Sequence, residues 1–365
     1  MNSASWATAV DGSSWRVRPT VALAIFSALL VVISMLAIQT GAIQISLRQI
    51  VAIIASSFGA PLPDDVTAQT STVLLAIRLP RVVLGIAAGA GLGAAGAVLQ
   101  GVFRNPLADP MLIGVSSGAA LAVTAVIVLG GGGTFALLDG FSTFADPLTL
   151  PIAGFIGGLA ATALLYRVST REGRTSLTTM LLAGIAINAL AFSGIGVFTT
   201  IASNEQLRNI SFWNFGSLSG ASFEHVGVIA ILVGVVCIVL TRMGPGLNAL
   251  LLGDSEARHL GFDTQALKRN VIALAALLAG VLVAACGVIG FVALVAPHVV
   301  RLICGPDHRI VIPGAALLGA TLLLAADLVA RVVVSPAELP IGIVTALLGA
   351  PFFLWLLMNN RERLA

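Results

Sequence analysis

The feature that most constrains this chain is a series of ten apolar runs, each near the ~20 residues a helix needs to cross a bilayer, with the charges gathered mainly between them. They occupy 21–39, 81–102, 111–130, 148–166, 177–201, 222–241, 270–288, 290–303, 311–330 and 340–358. Only 10% of the 365 residues are charged and 58% are hydrophobic, against about 25% charged in an ordinary soluble protein. The polar shell of a soluble fold cannot be built from this composition, so lipid is the expected solvent. The reading is an all-α polytopic membrane protein of about ten transmembrane helices. It has one helical domain over 21–358, an N-terminal tail over 1–20 and a C-terminal tail over 359–365. The seventh and eighth runs are divided only by Gly287 and Gly290, and the eighth is short.

Charge placement orients the bundle. Arg16 and Arg18 precede the first run, which resembles a long signal peptide but lacks a convincing small-x-small cleavage site and is read as a retained helix. With both termini cytoplasmic, 14 basic residues fall inside and Arg48, Arg78, Arg81, Arg208 and Arg331 leave 5 outside. That asymmetry follows the positive-inside rule. The net charge of +3 does not signal nucleic acid, because Lys268 is the one lysine and the arginines are scattered between apolar runs. Cys237, Cys286 and Cys304 show no CxxC spacing and read as small apolar residues.

Several chemistries are missing. No GxxxxGK[ST] loop is present, so this chain does not hydrolyse ATP by itself. His225, His259, His298 and His308 are far apart, with no HExxH, and a metal site is not expected. No catalytic residues are assigned. Gly85, Gly89 and Gly93 recur every fourth residue of the second run and read as a close helix-packing stripe.

Two regions invite a partner. The polar connection from Met243 to Arg269 reads as a helix-turn-helix: Gly244-Pro245-Gly246 ends one helix, Leu247 to Leu252 form a short one, Gly253 breaks it, and Asp254 caps a second that stops at Gly261. Leu250, Leu251 and Leu252 form an apolar patch rimmed by Glu256 and Arg258, suited either to a protein or to the bilayer surface. Arg78, Arg81 and Arg331 lie on the outer side, against the positive-inside bias, so they either serve a partner or anchor the interface and pair with Asp327. Asp109 and Asp327 fall near run ends and read as capping or anchoring residues, with a proton relay as the other reading.

RLPR at 78–81 and QGVFRNPLADP at 100–110 closely resemble the signature of the FecCD family of permeases for ferric siderophores, haem and cobalamin. The likeness continues through GVSSG at 114–118, FWNFGSLSG at 212–220, LGDSEARHLG at 252–261, VAPHVVR at 295–301, GPDH at 305–308, ELPIG at 338–342 and LGAP at 348–351. Gln100, Arg104, Asn105, Pro106, Asp109, Pro297 and His298 belong to these signatures. The resemblance implies a ten-helix permease of a type II ABC importer in the bacterial inner membrane. It also implies a homodimer working with two cytoplasmic ATPases, which bind the ATP and Mg, and a periplasmic binding protein. In that frame Leu250, Leu251, Leu252, Gly253, Asp254, Glu256, Arg258, Leu260 and Gly261 couple to the ATPase, while Arg78, Arg81 and Arg331 dock the binding protein. The stretch from Gln206 to Trp213 looks more like haem permeases than siderophore or cobalamin ones. An ion-coupled secondary transporter, with Pro297 and His298 as its site, and a membrane-embedded enzyme are the other classes.

Overall fold

The structure, a computed structural model, describes residues 17–41, 43–130, 149–171, 174–334 and 337–359. The C-terminal tail beyond 359, all of the N-terminal tail before 17, and the orienting arginines Arg16, Arg361 and Arg363 lie outside the described residues.

Chain order runs α1 (Pro19–Gln39), α2 (Leu47–Ser56), α3 (Ala68–Thr72), α4 (Leu79–Phe103), α5 (Val115–Leu129), α6 (Thr149–Ser169), α7 (Leu177–Ile201) and α8 (Asn204–Asn214). It continues through α9 (Phe223–Arg242), α10 (Gly244–Leu252), α11 (Asp254–His259), α12 (Thr264–Cys286), α13 (Val292–Cys304), α14 (His308–Val332) and α15 (Ile341–Asn359). A two-residue ladder, β1 (Thr170–Arg171) with β2 (Arg174–Thr175), turns α6 into α7. Each predicted apolar run holds one of these helices. Among the described residues seven helices are long and apolar enough to cross a membrane, and α2, α5, α13 and α15 are shorter apolar helices.

The differences from expectation are local. A π-helical turn, Val73–Arg78, joins α3 to α4, so the second spanning helix begins at Ala68, well before residue 81. Two unanticipated helices, α2 and α8, are started by capping boxes: Ser46 with Gln49, and Ser203 with Gln206. The Gly244-Pro245-Gly246 segment does not simply end a helix; it forms the first turn of α10, with proline in the first turn where its missing N–H costs nothing. Runs seven and eight are two separate helices. Gly287 takes φ +71° after Cys286, and a side chain there would run into the Trp213 carbonyl and the Gly216 backbone.

At the centre stands α4: 83% of the residues in the apolar stretch of its span are buried, against 11% in that of α7. Its expected glycine stripe is the reason. Gly89 meets the backbone of Gly319 and Ala320, and Gly93 meets the Ala315 carbonyl, so α4 and α14 touch main chain to main chain. One turn further, Gly96 faces the Ala293 carbonyl of α13. Pro297 has no N–H to return to that carbonyl, which explains why backbone and not side chain fills the gap.

Gly93→Ala drives a methyl into the Ala315 carbonyl, while Gly234 has no atom within 4 Å of the same added methyl. Thermal unfolding in detergent should therefore fall by several degrees for Gly93→Ala. Gly234→Ala should be neutral or stabilising by up to about 1 kcal/mol, the helix-propensity gain over glycine.

Candidate functional site

The signature residues gather at the two ends of the bundle. At one end lies the α10–α11 loop. Gly253 adopts φ +135°, a conformation closed to ordinary side chains, and turns the chain sharply between the two helices. Asp254 does not cap α11, contrary to expectation, because its carboxylate is taken: Arg104 Nη2 lies 2.6 Å from Oδ1, and the Lys268 ammonium is bonded to Oδ2. Although partial burial works against ionisation, the Lys268 and Arg104 charges hold the Asp254 carboxyl below the usual carboxylate range. The loop is thus bolted to the end of α4 and the start of α12. A second fastening joins α10 to α14: Asn248 Oδ1 accepts from the His308 backbone N–H and lies 2.9 Å from His308 Nδ1, while Asn248 Nδ2 donates to Asp307.

The expected leucine patch is divided. Leu250 is 0% exposed and belongs to the core, and Leu251 is half-buried, because the helix turns these positions toward the bundle. The exposed apolar groups are Leu252 at 65% and Leu260 at 60%, flanked by exposed Glu256, Arg258 and Gly261. In the neighbouring α4–α5 loop, Arg104 takes φ +49° as the C-cap of α4. Asn105 Oδ1 accepts from Leu107 N–H before Pro106 and the turn, and Asp109 Oδ1 accepts from Met111 N–H to start the 3-10 turn Pro110–Ile113. Burial pushes the Asp109 carboxyl up to about 6, the Met111 hydrogen bond working against it. The capping reading of Asp109 is what the geometry shows.

At the opposite end the three arginines expected on the outer side point into the bundle. Arg78 is buried, and its guanidinium donates to the carbonyls of Ile38 at 2.7 Å, Gln39 at 2.9 Å and Ile43. Arg331 donates to Ala37 at 3.1 Å and Thr40 at 3.4 Å. Together they satisfy the last carbonyls of α1, which a helix cannot pair internally. Asp327, fully buried, receives both Arg81 Nε and Nη2 on one oxygen, and Arg331 Nε lies 3.1 Å from the other in an i,i+4 ion pair. Arg81 Nη1 reaches both oxygens of Glu338 at 3.0 Å. Glu338, with its side chain 45% exposed, is the one member of this cluster open to the surroundings.

Between the ends, Gln100 donates to the Leu294 carbonyl and accepts from Arg301, which also donates to Ala97. His298 Nε2 is buried without a hydrogen-bond partner among the described residues. Sequence reasoning missed a backbone crossing: Ser217 N–H donates to Cys286, Ile341 to Gly216 and Gly342 to Phe215, so the FWNFG and ELPIG segments meet through their main chains. Gly216 and Gly342, each with carbonyls where a side chain would sit, were the available signal. The haem-like stretch 206–213 is α8, whose Gln206 caps the Ile127 and Val128 carbonyls of α5. Among the described residues no group of three or more His, Cys, Asp or Glu side chains could hold a metal ion, and the three cysteines are free.

A model of the FecCD transport family matches residues 29–359. The chain belongs to this family. It is 41% identical to the hemin transport system permease protein of Yersinia pestis over 95% of this chain and 98% of that one. It is 40% identical to the cobalamin import system permease protein of Halobacterium salinarum, over 84% of this chain and 79% of that one. A solved inward-facing structure of a metal-chelate type ABC transporter superposes with a TM-score of 0.78 at 31% identity, covering 93% of this chain and 99% of that one. A FecCD protein is the permease of an ABC importer, in which separate subunits hydrolyse the ATP.

Asp327→Asn leaves two buried guanidinium groups short of an anion, and a loss of about 3 to 5 kcal/mol is expected for a broken buried pair. Glu338→Gln, at a half-exposed site, should cost less than about 1 kcal/mol. Thermal melts of the two variants in detergent separate these outcomes. Asp109 gives a pH signature. A carboxyl whose folded pKa is raised contributes its full stability below the ordinary value of 3.8 and loses it as pH climbs through about 6. Asp109→Asn keeps the acceptor but does not titrate, so the variant should gain on the wild type between pH 4 and pH 7 in melts across that range.

Proposed function

We propose that this chain is the permease of a haem importer in a bacterial inner membrane. It works as a homodimer with two cytoplasmic ATPases and a periplasmic binding protein, with both of its termini in the cytoplasm. The observation that carries the cargo reading is the end-to-end match to the hemin permease, which extends over 98% of that relative, where the cobalamin relative is covered over 79%. ATP and Mg belong to the ATPase; this chain supplies the route and the grip.

In this reading the exposed ends of the coupling loop, Leu252 and Leu260, insert in an apolar groove of the ATPase, with Glu256 and Arg258 as polar rim. Movement of that loop passes to α4 and α12 through Asp254, and to α14 through Asn248 and His308. The binding protein docks on the arginine end. Arg78 is committed to the α1 carbonyls, so Arg81 is the group able to engage an acidic side chain, by exchanging its half-exposed partner Glu338.

Proteoliposomes holding this chain with its ATPase and binding protein should accumulate haem in an ATP-dependent way, in preference to a ferric siderophore or cobalamin. Leu252→Glu should reduce both ATPase assembly and uptake by tenfold or more without lowering the melting temperature. Uptake of cobalamin or a ferric siderophore in place of haem would overturn the cargo, and uptake on an ion gradient without the ATPase would overturn the importer.

A further inference from the structure

A cleft of about 230 Å³ opens between α6 and α12, away from both ends described above. Its walls are almost wholly apolar, with Phe155 and Leu159 on α6 facing Ala273, Ala276 and Gly280 on α12. At the deep end Gly280 leaves a gap one methyl wide, since an added methyl would come into ordinary contact with the Phe155 ring at 3.5 Å. At the other end the lining changes character. Tyr166, the single tyrosine of the chain, and Arg269 both line the mouth. Neither makes a hydrogen bond or ion pair with a described residue. The adjacent Lys268 turns inward to Asp254, while Arg269 stays exposed on the outside of the same helical turn.

The dimensions say what fits. From Phe155 to Tyr166 and from Gly280 to Arg269 the cleft runs eleven residues on each helix, about 16 Å at 1.5 Å per residue. Half of a ~30 Å hydrocarbon core is about 15 Å. The apolar part is therefore one leaflet deep, with a cation and a phenol where a headgroup would lie. Arg269 is among the residues that the positive-inside count assigns to the cytoplasmic side, where anionic lipids concentrate.

We propose that this cleft is a binding site for one anionic phospholipid of the inner leaflet. An acyl chain lies along Phe155, Leu159, Ala273 and Gly280, and the phosphate accepts from Arg269 and the Tyr166 hydroxyl. The inference rests on the chain lying in a membrane and not on the cargo, so its test reads lipid binding, not transport.

Native mass spectrometry of the full chain in detergent, titrated with dioleoyl phosphatidylglycerol or dioleoyl phosphatidylcholine, separates headgroup from acyl contributions. The wild type should retain one phosphatidylglycerol in preference to phosphatidylcholine. Arg269→Gln should weaken phosphatidylglycerol retention about fivefold and phosphatidylcholine retention less, because both carry the phosphate but only phosphatidylglycerol carries a net charge. Ala273→Phe fills the cleft from an exposed position and should lower both; Ala163→Phe does so from the opposite wall if the first variant does not purify. Arg242→Gln, an exposed arginine outside the cleft, should change neither. Equal retention of the two lipids by the wild type, unchanged binding in Arg269→Gln, unchanged binding in the filled-cleft variant, or an equal loss in Arg242→Gln would each overturn the site.

Discussion

Inside a bilayer there is no water to accept or donate a hydrogen bond, so every peptide group left over at a helix end or a break must be met by another part of the protein. Much of what is distinctive in this chain follows from that constraint. The last carbonyls of α1 are met by Arg78 and Arg331, and those at the end of α5 by the Gln206 amide. Gln100 and Arg301 supply further donors to the carbonyls of Leu294 in α13 and Ala97 in α4. Where three non-helical segments cross, main chain meets main chain, from Ser217 to Cys286 and from Gly342 to Phe215. The long fork of arginine suits this work, since one guanidinium carries five donors and can serve several carbonyls at once.

Using arginines as caps brings buried charge with it, and the acidic residues are placed accordingly. Arg81 and Arg331 share Asp327, and Glu338 closes the remaining face of Arg81. A buried pair of this kind adds little net stability over an apolar filling, because desolvation offsets the attraction. What it supplies is geometry: α1, α4, α14 and the segment before α15 are tied together by directional bonds in which each guanidinium meets a particular carbonyl or carboxylate. At the other end Asp254 does the same for α4, α12 and the α10–α11 loop.

The sequence was informative wherever one physical rule dominated. Hydropathy placed ten helices, the glycine spacing at Gly89 and Gly93 marked the α4–α14 contact, and Gly253 and Gly261, both at positive φ, delimited α11. It was misleading where two rules compete. Leu250 to Leu252 look equivalent on paper, but a helix sends three consecutive residues in three directions, and Leu250 faces the core. Asp254 stands where a capping residue belongs, yet a cation pair outbids a backbone N–H. The outer arginines broke the positive-inside pattern and so drew attention, but nothing local in RLPR reveals carbonyls some forty positions away as their acceptors. Amphipathic α2 was too short, and α8 both too short and too polar, for a hydropathy scan, although their Ser-x-x-Gln capping boxes were present in the sequence.

The two ends are joined by the two helices that carry both sets of residues. On α4, Arg81 stands at one terminus and Arg104 at the other; on α14, Asp327 and Arg331 stand at one terminus and His308 at the other. Between these anchor points the pair touches backbone to backbone at Gly89, Gly93 and Gly319, with the Leu324 side chain against Gly85 and the His308 ring against Gly101 toward the ends. Close-packed backbones transmit displacement rather than absorb it. In the proposed importer, a movement that the ATPase imposes on the coupling loop therefore arrives at the arginine cluster as a displacement of the α4–α14 pair as one body. The same contact that makes the bundle dense is what lets its two faces report on each other.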